Sequence, residues 1–391
     1  MILTYKYRLL PTKRQHTALA RILEDQRQLY NAALQERIDF YRKTGSGRSY
    51  IDQAKALTEC RRDLPEMAAL PVNLQRWTLK RLDDAYTGFF SRVKRGGRAG
   101  FPRFRGKGWW TSFGFREFSG ILFDGARLRF KGLPGGIRVH LHRPLPGSKP
   151  LSATFKRNGK GWSVSLAFEI AAAGKRVVST MCGVDVGIKA LAVTSDGLII
   201  PNPRAARRAD REMRRRSRAL ARCRRGSSRR RKVKARLAML HRKIANNRAT
   251  ALHQASAMLV RQYDLIVVEA LNVKGLARGM LARDVHDASW SKLIGFLRYK
   301  AGRAGAHLIE VDPRNTTQAC SGCGVIFPKT LADRVHSCPE CGLVLDRDHN
   351  AARNILRLGV LVQGLGNVAR WGERRAGKLT LVSNRDSTII S

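Results

Sequence analysis

Positions 2–9 alternate between apolar and polar, with Tyr5 and Tyr7 on one face, and predict a short strand. After Pro11 and Thr12 the period changes. Leu19, Ile22, Leu23, Leu29, Tyr30, Ala33 and Leu34 recur at threes and fours, the spacing of an amphipathic helix. Helical spacing returns at 51–62 and 72–94, the last with Leu74, Trp77, Leu82, Ala85 and Phe89 on one side. Residues 11–100 therefore read as a helical lobe. The pattern breaks at the glycine-rich run 95–100. Short alternating runs follow at 112–118, 126–130, 137–141, 152–156 and 162–170, interrupted by Gly and Pro, and predict a small antiparallel barrel. The strand at 2–9 completes it, so the lobe reads as an insertion. From 179 the pattern is α/β: a hairpin at 181–186 and 190–194, a buried strand at 264–268, a helix at 288–304, a strand at 307–311 and a last helix from near Asn350. Periodicity fades beyond about 360, which predicts a loosely ordered tail over 359–391.

The chain has 391 residues, 43% of them hydrophobic, enough for two or three domains with real cores. Charge changes the picture most: 75 Lys and Arg against 29 Asp and Glu give a formal +46. Such a particle repels itself unless a polyanion neutralises it, and nucleic acid bound over much of the surface is the natural partner. No apolar run reaches membrane-spanning length and no basic amphipathic anchor stands out, so a membrane is not expected as a partner. No small-molecule substrate is expected either. The first ten residues are too short and too charged for a signal peptide. Seven cysteines, four of them at metal-type spacing, fit a reducing compartment, and the expected location is cytoplasmic.

Because acids are scarce, those at the ends of apolar strands stand out. Asp185 lies in the apolar run 182–193, Glu269 ends Leu265-Ile-Val-Val-Glu269, and Asp348 sits at the start of the last helix. A carboxylate in such a strand is costly unless paired or metal-bound. A lone acid at an element end is usually a cap or turn residue. Three together, in so basic a chain, suit two divalent ions about 4 Å apart, one activating water and the other stabilising the leaving oxygen. Asp346 competes with Asp348 for the third place, and Asp348 is preferred because it immediately precedes the helix.

Cys320-Ser-Gly-Cys323 and Cys338-Pro-Glu-Cys341 are separated by fourteen residues, each pair followed by Gly. Two such turns form a closed tetrahedral four-cysteine zinc site, structural because no ligand position is left open. Residues 204–248 hold about twenty Lys and Arg against only Asp210 and Glu212. The densest groups are Arg214, Arg215, Arg216 and Arg218, then Arg224 and Arg225, then Arg229, Arg230, Arg231, Lys232 and Lys234. Leu220, Leu237 and Leu240 among them predict helices that contact phosphates.

Gly183-Val-Asp-Val-Gly187, Val268-Glu-Ala-Leu-Asn-Val273, Thr316-Thr-Gln-Ala-Cys-Ser-Gly-Cys-Gly324 and Asp346-Arg-Asp-His-Asn-Ala-Ala-Arg-Asn-Ile355 resemble the TnpB family, transposon-encoded RNA-guided nucleases related to compact type V CRISPR effectors. Lys6-Tyr-Arg-Leu-Leu-Pro11, Tyr30-Asn31 and Phe101-Pro-Arg-Phe-Arg105 extend the likeness, which runs from about 3 to 355. The resemblance implies a wedge-like β-barrel (1–10 plus 101–178), an inserted helical recognition lobe (11–100), an RNase H-like RuvC nuclease domain (179–315 plus 344–358) and a zinc-ribbon insertion (316–343). It implies Asp185, Glu269 and Asp348 as catalytic acids holding two Mg2+ (or Mn2+) ions, and Cys320, Cys323, Cys338 and Cys341 as ligands of one Zn2+. The implied partners are a guide RNA and a double-stranded DNA target beside a short adjacent motif, with Arg103 and Arg105 among the nucleic-acid contacts. The family often carries a second acid after the catalytic Glu, where this chain has Ala270. Two other readings remain open: a guide-RNA-dependent repressor, and an RNA-independent RNase H-like transposase or resolvase.

Overall fold

A computed structural model of the protein describes residues 1–159, 161–330 and 333–362. The expected tail lies outside the described residues from 363 onward. The chain divides into two compact units, Met1–Ala171 and the residues from Ala172 on.

The first unit opens with β1 (Ile2–Leu10), then α1 (Lys13–Thr44), α2 (Tyr50–Asp63), α3 (Pro65–Ala68) and α4 (Val72–Lys94). Its remaining strands are β2 (Ser112–Phe115), β3 (Ile121–Phe123), β4 (Arg127–Phe130), β5 (Ile137–His140), β6 (Pro150–Asn158) and β7 (Gly161–Glu169). The seven strands form one antiparallel sheet, nearly closed and barrel-like, in the order β2-β6-β7-β1-β5-β4-β3. β1 is central: it pairs with β7 from Ile2 to Leu9 and with β5 from Arg8 to Leu10. The alternation at 2–9 arises because Tyr5, Tyr7 and Leu9 point into a core shared with Phe113, Phe155, Trp162 and Phe168. The run at 112–118 stays in the sheet only as far as Phe115, and β3 has no counterpart in the periodicity. At three residues it is too short to show one. Thr12 caps α1 through a capping box with Gln15, and Gly45 ends it at φ +68°.

The second unit contains β8 (Met181–Asp185), β9 (Ala190–Thr194), β10 (Ile199–Pro201), α5 (Ala205–Arg208), α6 (Asp210–Ala221), α7 (Ser228–Gln262) and β11 (Leu265–Glu269). It continues through α8 (Val273–Leu276), α9 (Ala282–Ala288), α10 (Trp290–Ala304), β12 (His307–Val311), β13 (Val335–Ser337), β14 (Val344–Asp346) and α11 (Arg347–Val362). Five strands make a mixed sheet, β10-β9-β8-β11-β12, in which β8, β11 and β12 are parallel and β9 and β10 antiparallel. β11 reads as an unbroken apolar run because both its faces are covered. Ile266 and Val268 pack with residues of α7 and α10, while Leu265 and Val267 pack with Ile355 and Leu356 of α11.

Two glycines let α11 lie directly on this sheet. A Cβ at Gly183 would sit 2.1 Å from the Ala352 carbonyl oxygen, and one at Gly359 would sit 2.3 Å from Val267 Cγ2. α11 begins at Arg347, three residues before its expected start, and includes Gly359 and the three residues after it.

Candidate functional site

β8 and β11 are neighbours in parallel register, Val184 opposite Val268, so their last residues, Asp185 and Glu269, emerge at the same sheet edge. Asp185 therefore closes its strand, and the apolar run around it in the sequence continues beyond the strand end into β9. With α11 held against Gly183, Asp348 in its first turn reaches the same edge; a Cβ on Gly187 would lie 3.9 Å from Asp348 Oδ2. Asp346 is engaged elsewhere. Its Oδ1 accepts the backbone N–H of Asp348 (2.9 Å) and of His349 (3.4 Å), capping the helix. Burial, reinforced by the charges of Glu269 and Asp348 and opposed by Arg347, pushes the Asp185 carboxyl well above the ordinary carboxylate range. Burial also raises Glu269, which is 8% exposed, against the pull of a hydrogen bond from Thr316. A buried carboxyl whose proton affinity is raised by two neighbouring acids is stabilised by any divalent cation that replaces its proton. This donor set, all carboxylate oxygen, suits Mg2+ or Mn2+.

Thr316 was not singled out by its sequence, since a threonine in a loop carries no periodic signal. Its Oγ1 donates to Glu269 Oε1 at 2.5 Å, and at 2% exposure no water can take its place. α11 holds the loop that carries it. The Asn354 side-chain amide donates to the carbonyls of Thr316 (2.9 Å) and Ala319 (2.8 Å). Asn350 donates to Ala319 (2.8 Å) and accepts from the Ser321 N–H (2.9 Å). One helix thus presents Asp348, fixes the residue that orients Glu269, and grips the first cysteine turn.

The four cysteine sulfurs lie within 4.8 Å of one another, with Cys320–Cys341 at 3.6 Å and Cys323–Cys338 at 3.5 Å. Tetrahedral zinc–thiolate geometry requires sulfurs about 3.8 Å apart, so the set fits one such ion. The two turns repeat each other. Cys320 N–H donates to Val325 and Gly324 N–H to Cys320, as Cys338 N–H does to Leu343 and Gly342 N–H to Cys338. Gly324 (φ +84°) and Gly342 (φ +67°) occupy left-handed positions that a side chain would strain.

The basic segment folds as a hairpin of α6 and α7. Its base is tied down by buried Asp287, which accepts from Arg248 (2.7 Å) and from the backbone N–H groups of Ala206 (3.0 Å) and Arg207 (3.2 Å). Two of its arginines turn onto backbone carbonyls of the hairpin itself. Arg216 pairs with Glu212 and donates to the Arg236 carbonyl (2.5 Å), and Arg230 donates to the carbonyls of Leu220 (2.7 Å) and Cys223 (3.0 Å). Arg214, which pairs with Asp210 at 2.9 Å, is exposed, as are Arg215, Arg218, Arg224, Arg225, Arg229, Arg231, Lys232 and Lys234. Arg103 and Arg105 are exposed on the first unit. No helix among the described residues is long and apolar enough to cross a membrane.

Three family models match the chain: "Helix-turn-helix domain" over 1–46, "Probable transposase" over 175–280 and "Cas12f1-like, TNB domain" over 290–355. The first corresponds here to β1 and the single helix α1. The last spans α10, β12, the cysteine turns and the start of α11. The fold is similar to that of the protein in the "Cas12f1-sgRNA-target DNA complex", with a TM-score of 0.58 at 14% identity over 88% of this chain and 83% of that one. InsQ of Escherichia coli K12, named for an RNA-guided DNA endonuclease, is 28% identical over 94% of this chain and 95% of its own. A Streptomyces pristinaespiralis protein named for the same activity is 31% identical, the alignment covering 94% of this chain and 91% of that relative, and by that measure the chain belongs to the TnpB family.

Proposed function

We propose that this protein is an RNA-guided DNA endonuclease that hydrolyses target phosphodiester bonds at Asp185, Glu269 and Asp348. The observation that carries the reading is the convergence on Asp185 of two further carboxylates, Glu269 from the neighbouring strand end and Asp348 from a helix start, in a chain of +46 charge. Two antiparallel strands followed by parallel β8, β11 and β12 suit an RNase H-like, RuvC-type core, which supports the same reading. Divalent ions held there would activate water and stabilise the departing oxygen. The chain's own residues supply the rest. Asp185, Glu269 and Asp348 would hold the cations, Thr316 keeps Glu269 aimed, and α11 holds Asp348 against the sheet.

The four-cysteine cluster is the proposed seat of one structural zinc in a ribbon-like insertion, 316–343. In this reading 1–10 with 101–178 is the wedge, 11–100 the recognition lobe, and 179–315 with 344–358 the nuclease domain. A guide RNA neutralises the basic hairpin and reads the target by base pairing. The protein reads only a short adjacent duplex motif. The test is cleavage of a plasmid library by protein with cognate, scrambled or no RNA, beside a binding assay. Asp185→Ala, Glu269→Ala and Asp348→Ala should each abolish cutting and leave RNA and target binding nearly intact. Binding without cutting by the unmodified protein would make it a repressor, and equal cutting in all three RNA conditions would make it an RNA-independent nuclease.

A further inference from the structure

The first unit carries a cleft that the nuclease chemistry does not use. Lined in part by α1 and α4 and by the strap at 100–105, it has a volume of about 350 Å3, within the range of small-ligand sites. Its lining combines three kinds of group. Arg92, Arg103 and Arg105 supply guanidinium forks, Phe101 a ring 46% exposed, and Tyr30 and Asp84 the hydrogen-bonding groups. The strap is built into place: Arg105 N–H donates to Asn31 Oδ1 (2.8 Å), and the Arg105 carbonyl accepts from Arg27 (2.9 Å) and Asn31 (3.0 Å). Phe101 is braced edge-on by Tyr86 at 5.6 Å and Phe89 at 5.4 Å, yet nearly half of it stays open. Tyr30 is 2% exposed, and its hydroxyl has no hydrogen-bond partner among the described residues. Arg92 donates to the Gly100 carbonyl at 3.4 Å, the Arg105 guanidinium lies 5.6 Å over the Tyr30 ring, and Asp84 stands 3.5 Å from Lys80 Nζ.

We infer that this cleft seats one unstacked nucleotide of the bound nucleic acid, its base against Phe101 and its phosphate on Arg103 and Arg105. Guanidinium forks match phosphate oxygens, and an exposed braced ring is a stacking platform that any base can use. Asp84 is an acid in a basic surrounding. On a base edge a carboxylate accepts from an exocyclic amino group, which cytosine has and uracil lacks. The cleft therefore prefers a base with an amino edge. The inference rests on the nucleic-acid-binding reading above and deepens it by naming what one site holds.

The experiment uses the full chain and hexameric oligo-rC, oligo-rU, oligo-dC and oligo-dU, with affinity measured against salt concentration. The unmodified protein should prefer rC to rU, or dC to dU, and the sugar giving the larger preference identifies RNA or DNA as the source. Phe101→Ala should weaken oligo-C binding about tenfold with an unchanged salt slope, since stacking releases no counterions. Arg103→Ala should lower the salt slope by about one, and Asp84→Asn should erase the preference for cytosine. Arg215→Ala, on the basic hairpin, should lower the salt slope and keep that preference. Equal melting temperatures would show that Phe101→Ala is folded. If the protein binds oligo-C and oligo-U alike and Phe101→Ala binds as tightly as the parent, the inference is wrong while the nucleic-acid reading stands. If the unmodified protein binds none of the oligonucleotides, both fail.

Discussion

Thr316→Val removes one proton donor from beside Glu269 and keeps the side chain's shape. The Thr316 hydroxyl has one proton and two acceptors, Glu269 Oε1 at 2.5 Å and the Pro313 carbonyl at 3.0 Å, and the shorter bond to the carboxylate takes it. With Thr316 2% and Glu269 8% exposed, solvent cannot replace the lost donor. A buried hydrogen bond to a charged group is worth about 1.5–3 kcal/mol, and about 1.4 kcal/mol is a factor of ten in an equilibrium constant. Because the bond steadies the ionised carboxylate that a cation needs, its loss should weaken divalent-ion binding about 10- to 100-fold. The assay is Mn2+ affinity of the RNA-loaded protein by electron paramagnetic resonance, paired with cleavage rate against Mg2+ concentration. Thr316→Val should need far more metal for half-maximal cleavage, whereas Thr316→Ser, which keeps the hydroxyl, should behave almost as the parent. Unchanged Mn2+ affinity in Thr316→Val would refute the reasoning. A serine variant as impaired as the valine one would assign the role to the threonine methyl.

Gly183→Ala places a methyl 2.1 Å from a helix backbone oxygen, so α11 must shift; overpacking of this kind costs about 1–3 kcal/mol, read as a melting temperature several degrees lower and as lost cleavage. Protein purified without chelators should contain about one zinc per chain by mass spectrometry, and Cys320→Ser or Cys338→Ser should lose it and cut more slowly, because Asn350 and Asn354 tie the first cysteine turn to α11. Burial of Asp264 is outweighed by hydroxyl and backbone donors of Ser179 and Thr180, which bring its carboxyl down to about 2. Its folded pKa lies below the unfolded one, so its roughly 2 kcal/mol of stability is complete above about pH 4 and lost as the pH falls towards 2. The melting-temperature gap between the parent and Asp264→Asn should therefore be widest near neutrality and close in acid; a gap independent of pH would contradict the assignment.

Local order could be read from the sequence because it is set by nearest neighbours. The period-two run at 2–9 became β1, the threes and fours from Leu19 to Leu34 became one face of α1, and the stretch at 72–94 became α4, since side chains on one face must share one core. The cysteine turns were equally legible, because two thiolates and a following glycine are all a turn of that kind requires. What depended on distant segments stayed hidden. Asp346 and Asp348 stand two residues apart, and only the backbone at the start of α11 decides that one caps the helix while the other faces Asp185. Arg216 and Arg230 look like their neighbours in composition, yet the α6–α7 hairpin turns both onto its own carbonyls. Thr316 meets Glu269 across 47 residues, and Gly183 meets Ala352 across most of the second unit. Composition records which chemistry the chain can perform, and tertiary contact selects the side chains placed to perform it, because the free energy of a buried carboxylate depends on what the fold brings within hydrogen-bonding distance.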